Sequence, residues 1–517
     1  MSKVKILWAD DEIDLLKPQL FFLEKKGYEV ATVTNGHDAL DLLENDPDIE
    51  VVFLDESMPG ITGLETLSQI KSKYVSMPVV LITKNEAENL MEEAIGSQID
   101  DYLIKPVNPN QILLTLKKII DNKRLVSEKT ASDYQQAFRE LHAEMSSGLD
   151  REGWVDFYKK LIDWELRLDS SETVHMGDIL SMQKSESNRE FGRFVDKKYH
   201  GWVADDDGPD MSHNLLKRKL FPQMADDKPN VMLLLDNLRF DQWKILEPII
   251  LEKFKVTKED HFYSILPTST QYSRNAIFAG MLPADIQKNY PDKWVYDHEN
   301  EGKNKQEAAF MQMQLDRIVK RNVKMQYHKI LNTHHAKTLH DNILNCLNND
   351  LTVIVYNFID TLSHARTEME VLKELIGDEK AYRSLTKSWF LNSPLWTALQ
   401  KLAEHDIKLF ITTDHGTIRV NSPSKVIADR DTTTNLRYKV GKNLRYQKSD
   451  VLEAVKPKAA GLPTPNISST YIFAKEDTFF LYPNNYNKYN NMYKNTFQHG
   501  GVSLEEVICP FISLEPR

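Results

Sequence analysis

Cysteine is nearly missing. Two residues in 517, Cys346 and Cys509, cannot build a disulfide framework or a thiolate metal site. Long apolar runs are missing too: none approaches the roughly 20 residues that a membrane-spanning helix needs. The opening MSKVKILWADDE has no secretory-signal pattern, so a cytoplasmic protein with no membrane insertion is expected. Positive charge is in deficit, with 65 Lys and Arg against 76 Asp and Glu and a formal net charge of −11. That balance argues against nonspecific duplex DNA binding as the main task, though a local basic patch can still hold an anion. The remaining composition, 41% hydrophobic and 27% charged, is ordinary for a globular protein. The length exceeds what one core supports and predicts about three domains.

Acidic residues crowd in one early place. LWADDEID, from Leu7 to Asp14, sets three acidic residues in a row directly after an apolar run. Adjacent carboxylates repel and lose hydration when partly buried, which suggests a cation; an acidic surface turn is the alternative. The next hundred residues alternate short apolar runs (KVKILWA, YEVATV, IEVVFLD, PVVLIT, DYLIK) with helix-period segments, the pattern of a parallel, doubly wound α/β sheet. Ligands of such sheets lie beyond the carboxyl ends of the strands. Asp10 and Asp11, Asp55, Thr83 and Lys105 all fall there, and Pro106 follows at a turn that could be cis.

The ordered set ADDE, LDESMPG, T and KP resembles the receiver domain of two-component response regulators over residues 1–121. The resemblance implies a flavodoxin-like fold and a cognate sensor histidine kinase. It implies that Asp10 and Asp11, with Asp55, hold Mg²⁺ and that Asp55 accepts a phosphoryl group. Thr83 and Lys105 would read the phosphoryl oxygens, with Tyr102 as a switch aromatic. Mg²⁺ takes hard oxygen ligands and keeps several waters, which suits a shallow carboxylate cluster.

From Pro109 a helical pattern runs on without Gly or Pro, and amphipathic stretches come after it. Residues 122–205 are expected to form a helical bundle linker whose first helix continues from the last receiver helix. Trp154, Phe157, Trp164 and Leu168 recur at helical spacing and belong to its core. ADDDGPDMSHN, from Ala204 to Asn214, then resembles a linker; Asp205, Asp206 and Asp207 fit a solvated turn better than a cation site.

Residues 206–517 hold no compact basic recognition helix, so an enzymatic output is expected. Apolar strands deliver Asp236 in NVMLLLDNLRFDQW, Asp360 and His364 in TVIVYNFIDTLSHAR, and Asp414 and His415 in IKLFITTDHGT. ILPTSTQYSRN carries Thr268, Ser269 and Thr270 at a loop-to-helix junction, and His499 sits in a Gly-flanked turn near the end. Six carboxylate and imidazole groups suffice for two zinc-like ions, each taking three or four nitrogen and oxygen ligands. The Asp-x3-His spacing can put both side chains on one face of a helical turn. By contrast His328, His334, His335 and His340 have no close carboxylate partners and fit an exposed helix.

These motifs resemble the alkaline phosphatase superfamily, closest to its PglZ-type branch. Together with the receiver and bundle they are similar to PorX-type response regulators, associated with type IX secretion. The resemblance implies two Zn²⁺, one held by Asp360, His364 and His499, the other by Asp236, Asp414, His415 and the Thr270 oxygen. Thr270 would be the catalytic nucleophile. The chain departs from the diesterase pattern, in which an Asn follows the nucleophile by three positions. Ser273 stands there, with Arg274 and Asn275 next as candidate phosphate contacts.

The locally basic stretch from Ser424 to Ser449 holds seven cations, Arg437 and Lys439 among them, against Asp429 and Asp431. It suggests an anionic substrate, with Tyr438 and Tyr446 able to stack bases; a solvated hairpin is the alternative. The expected activity is therefore a zinc-dependent phosphodiesterase acting on nucleotides or oligonucleotides, with phosphorylation promoting a homodimer. A phosphomonoesterase would use the same groups. The rival from another class is a signalling adaptor binding a sigma factor or secretion-system component.

Overall fold

The computed structural model describes residues 3–517, apart from 75–76, 85–98, 171–173, 205–207, 298, 300–301, 320 and 430–431. The chain divides into two compact units, Met1–Asp133 and Tyr134–Arg517.

In the first unit, β1 (Lys5–Ala9), β2 (Glu29–Val33), β3 (Ile49–Asp55), β4 (Val79–Thr83) and β5 (Asp101–Ile104) form one sheet. The strands are parallel in the order β2-β1-β3-β4-β5, the flavodoxin-like order. β1, β3 and β4 are buried on both faces and read as near-continuous apolar runs, as parallel strands covered by helices do. Helix α1 spans Lys17–Lys25, α2 Gly36–Asn45 and α3 Gly63–Lys73. Asn35 caps α2, and Thr62 with Glu65 forms a capping box on α3. The expected fourth helix, EAENLMEEAIGS, lies outside the described residues. Helix α4 (Pro109–Ser146) continues without a break past the end of this unit, as the uninterrupted pattern implied.

In the second unit, α5 (Arg151–Ser170) and α6 (Val174–Ala204) complete the bundle. Three of the aromatic and aliphatic residues expected in its core, Trp154, Phe157 and Leu168, are buried, and Trp164 packs against them. That core is continuous with the core of the larger domain. Trp154 meets Phe191 at 5.4 Å, Trp202 meets Tyr263 at 5.3 Å, and Tyr158 meets Phe240 at 6.3 Å. A boundary at residue 205 therefore divides sequence patterns, while bundle and larger domain share one apolar core. The Asp205–Asp207 run lies outside the described residues.

The larger sheet contains β6 (Asn230–Leu235), β7 (Phe254–Tyr263), β8 (Met325–Ile330), β9 (Leu351–Tyr356), β10 (Lys408–Thr412) and β11 (Ile508–Pro516). Its order is β7-β11-β10-β6-β9-β8. The four central and edge strands β10, β6, β9 and β8 are mutually parallel, whereas β11 runs antiparallel to β10 and β7. Three adjacent parallel strands thus end at one edge, and that edge carries the chemistry. Helices α7 (Phe240–Ile250), α8 (Thr270–Ala279), α9 (Phe358–Glu368) and α10 (Glu379–Asn392) pack around the sheet. Among the described residues no helix is long and apolar enough to cross a membrane.

Candidate functional site

At the receiver edge, Asp10 follows β1 and Asp55 ends β3. Lys105 Nζ lies 2.9 Å from an oxygen of each. Asp10, Asp11 and Asp55 present carboxylate oxygens within 4.8 Å of one another. Burial pushes the Asp55 carboxyl up, and the Lys105 ammonium offsets this only in part. Burial opposes charge on Lys105 as well, but its two carboxylate partners hold its pKa above the ordinary value. Thr83 is buried at the end of β4, Tyr102 is exposed, and the Lys105–Pro106 bond is cis.

The larger sheet brings the other ligand types together in two groups. Asp236 follows β6, and Asp414 and His415 follow β10, the neighbouring strand; all three are buried. Asp360 and His364 lie on α9, which opens just after β9, with His364 Nε2 3.4 Å from Asp360 Oδ1. His499 Nε2 lies 3.7 Å from the same oxygen. Ile418–Arg419 pairs antiparallel with Phe497–Gln498, which draws the His415 and His499 loops side by side. Their rings stack with centroids 4.3 Å apart.

Both buried histidines are oriented by the backbone. His415 Nδ1 donates to the Gly416 carbonyl at 3.0 Å and His499 Nδ1 to the Thr268 carbonyl at 3.1 Å. Each ring therefore turns its Nε2 inward, the orientation a metal ligand requires. Burial, with neighbouring imidazoles, pushes His499 down to about 3, so it stays neutral. Burial alone would raise Asp360, but the His364 hydrogen bond and nearby rings hold it well below the usual carboxylate range. Asp236 is raised by burial despite Arg274 beside it, and its Oδ1 has no hydrogen-bond partner. A buried, orphaned carboxylate oxygen beside an imidazole and a second carboxylate fits a divalent cation with nitrogen and oxygen ligands.

Thr270 is the first residue of α8, with Ser269 extended before it as the cap position. Its Oγ1 lies 3.1 Å from His415 Nε2, at the positive end of the helix. Neighbouring hydroxyls are occupied differently. Thr268 is fully buried, donating to the Gly501 carbonyl and accepting from Gly500 N, while Ser273, one turn into α8, bonds Ser264 at 2.9 Å. A cleft of about 410 Å³ opens beside Thr270, lined by Lys303, Asn304, His364, Asn435, Tyr438 and Gln498 among others. A larger groove of about 940 Å³, with Lys288, Lys442 and Lys458 in its wall, contains none of the ligand groups.

Four expected substrate contacts are corrected. Arg274 is fully buried behind Asp236 and Asp414 and ion-pairs with both. Asn275 is buried and bonds the Lys303 carbonyl and Asn304. Arg437 is fully buried and clasps Glu506, with Nε 3.1 Å from Oε1 and an Nη 2.6 Å from Oε2. Lys439 is buried, donating to the Thr433 carbonyl, and lies 4.5 Å above the Tyr482 ring. The basic stretch thus owes part of its charge to internal packing. Its Tyr438 is likewise buried, with the hydroxyl 2.9 Å from Asp297, and Tyr446 packs on a small apolar cluster. His334, His335 and His340 lie on a helix over Thr333–Asp341, and His328 lies on β8.

Further residues of the site come from the folded chain, and Arg239 and Asp241, evident in the sequence beyond Asp236, are placed by it. Asn237 takes a left-handed backbone (φ 68°) directly after Asp236, and its amide reaches Asp360 Oδ1 at 3.5 Å. Asparagine is one of the few residues that tolerate this conformation, and that was the available signal. Lys303 and Asn304 enter the cleft from a polar loop with no pattern. Arg239 and Asp241 of the DNLRFD motif form a buried pair, and Arg383 joins Asp241 to Glu165 of the bundle at 2.8 Å from each.

Residues 215–514 match the model of the BREX system PglZ alkaline phosphatase-like domain. The chain belongs to the PglZ family. Residues 124–203 match the PorX response regulator linker domain and residues 6–117 the response regulator receiver domain, so the PglZ-family domain here is the output of a PorX-type architecture. Among curated proteins, the response regulator SaeR of Staphylococcus aureus is 32% identical over 115 residues, 22% of this chain and 50% of that protein. The chain spans about half the length of the curated relatives it matches. Similar solved structures include a CheY-like receiver domain protein from Methanospirillum hungatei JF-1 (26% identical, 23% of this chain, 96% of that chain, TM-score 0.23). Chemotaxis response regulator CheY4 of Vibrio cholerae is another (28% identical, 23% of this chain, 98% of that chain, TM-score 0.22).

Proposed function

We propose that this response regulator, phosphorylated on Asp55 by a cognate sensor histidine kinase, controls a zinc-dependent phosphodiesterase acting on nucleotides or oligonucleotides. The observation that carries the reading is Thr270 Oγ1 at a helix N-terminus, facing His415 Nε2 and flanked by two separate three-ligand groups. Asp360, His364 and His499 would hold one Zn²⁺ and Asp236, Asp414 and His415 the other; Asp10, Asp11 and Asp55 would hold Mg²⁺. The zinc ions would supply Lewis acidity at the phosphoryl oxygens and favour the ionised Thr270 hydroxyl.

Thr270 Oγ1 then bonds phosphorus as the bond to the leaving alkoxide breaks, and water later cleaves the Oγ1–P bond to regenerate the hydroxyl. The amino-terminal amides of α8 favour negative charge at this point. Lys303, Asn304, Asn435 and Gln498 line enough space for a substituent beyond the phosphoryl group, which supports a diester over a monoester. The PorX-type architecture supports a cytoplasmic role in regulating type IX secretion, with a sigma factor or secretion component as a further partner.

The deciding experiment compares hydrolysis of a chromogenic diester, a monoester and short oligonucleotides by zinc-loaded wild type and Thr270→Ala. The reading requires loss of diester turnover by several orders of magnitude with zinc content retained. Absence of hydrolysis of any ester by the wild type favours the adaptor. Phosphorylation is expected to promote a homodimer, and an unchanged mass by light scattering after acetyl phosphate treatment excludes it.

A further inference from the structure

Arg274 is a fully buried charged side chain at the carboxyl edge of the larger sheet, and the hydrolytic scheme gives it no task. Its Nε lies 3.0 Å from Asp414 Oδ2, and an Nη pairs with Asp236 Oδ2. Its third nitrogen faces Glu307 Oε1 and Asn357 Oδ1, each at 3.5 Å. Glu307 is itself buried and held from the far side by Lys329 Nζ at 2.8 Å and by the Tyr327 hydroxyl. Three layers result: Lys329 and Tyr327 on β8, then Glu307, then Arg274 on α8 against the two strand-end carboxylates.

Each contact engages one side of a carboxylate. Asp236 ion-pairs with the guanidinium through Oδ2, neither of its oxygens has a hydrogen-bond partner, and Oδ1 is the one left without an ion pair to Arg274. Asp414 Oδ1 accepts from His415 N at 3.1 Å, and Oδ2 from Arg274. Carboxylates have lone pairs on both edges, so a planar fork spanning two of them fixes the rotation of both at once.

We infer that Arg274 is a positioning residue for the second metal group: it holds Oδ2 of both Asp236 and Asp414, fixing the two carboxylates so that Asp236, Asp414 and His415 Nε2 converge on one point. The inference rests on the proposed reading that this group binds zinc. A guanidinium that merely replaced the ion would leave no orphaned oxygen, and its removal would strengthen metal binding.

The test is zinc titration of the full chain against a chromogenic chelator, in wild type, Arg274→Lys and Arg274→Gln, with thermal unfolding of each metal-free protein as the folding control. Wild type should take up two zinc ions in the larger domain. Both variants should keep the ion of the Asp360, His364 and His499 group and bind the other roughly 10–100-fold more weakly, as for lost outer-shell partners. Lysine should rescue little, because an ammonium preserves the charge without the fork. Unchanged or tighter binding of the second ion in Arg274→Gln overturns the inference, as does full rescue by lysine. If both variants misfold, Glu307→Gln releases the anchor of Arg274 instead. Several-fold weaker binding of the second ion then supports the role, and no change overturns it. A wild type that takes up no zinc fails differently, by overturning the metal reading itself and the positioning role with it.

Discussion

Thr270 Oγ1 stands 3.1 Å from His415 Nε2, while the opposite nitrogen of that ring is committed to the Gly416 carbonyl at 3.0 Å. Thr270 and the imidazole are placed by the chain: one by the start of α8, the other by the turn after β10. For the proposed hydrolysis that prearrangement spares reorganisation.

Acetyl phosphate with Mg²⁺ should add one phosphoryl group to the wild type, read by intact mass. Asp55→Ala should accept none. Lys105→Met should still be phosphorylated more than Asp55→Ala, because it loses a reader of the product and keeps the acceptor. Equal labelling of Asp55→Ala and wild type places the acceptor elsewhere.

Zinc content should divide by group. His499→Ala should cost the ion shared with Asp360 and His364, and Asp236→Ala the one shared with Asp414 and His415. Chelation should lower the melting temperature, since an ion bound only to the folded state stabilises it. Elemental analysis that finds the same zinc in both variants as in wild type contradicts the assignment.

Gly416 has a backbone reason to be glycine. A Cβ there would meet the Glu505 carbonyl oxygen at 2.0 Å, and that oxygen belongs to the short helix Leu504–Val507. Gly416→Ala should destabilise by about 2–4 kcal/mol in urea unfolding. Gly201→Ala on α6, where nothing lies within 4 Å, should be neutral or slightly stabilising. Equal stability of the two variants rejects the clash.

Lys439 gives a pH signature. Burial lowers its pKa to about 7, against the ordinary 10.5. Between those values the unfolded chain keeps a proton that the folded chain has released, so this residue makes stability rise as pH climbs from about 7 toward 10.5. Below pH 7 both states are protonated and the burial cost is at its fullest. Lys439→Met should therefore stabilise at pH 6 by about 1–3 kcal/mol and flatten the rise above pH 7. A parallel profile for the two proteins rules this out.

The placement of the carboxylates and imidazoles was legible because parallel strands buried on both faces are unbroken apolar runs, and the polar residues after each run fall at one edge. Asp236 is the first polar residue after its run, whereas Asn357 precedes Asp360 and Thr413 precedes Asp414, so those two needed the flanking motif as well. Arg437 was misread because its partner Glu506 lies 69 positions onward, beyond the reach of any local charge count. Arg274 was misread for the same reason, with Asp414 140 positions away. Proximity to the nucleophile in sequence suggested the cleft, whereas the turn of α8 carries that side chain behind it. Lys303 and Asn304 come from a loop without periodicity, so only the folded chain reveals them.

The shared core of bundle and larger domain bears on how such a protein can be inherited. Tyr263 and Phe240, which belong to the phosphatase-like fold, are covered by Phe191, Trp202 and Tyr158 from the helices before it. A gene fusion that moved residues 215–514 alone onto a new sensor would carry bare aromatic surface with it. Recombination should therefore preserve the two segments as one transferable piece, and exchange should be easier upstream of Tyr134, where the first compact unit ends.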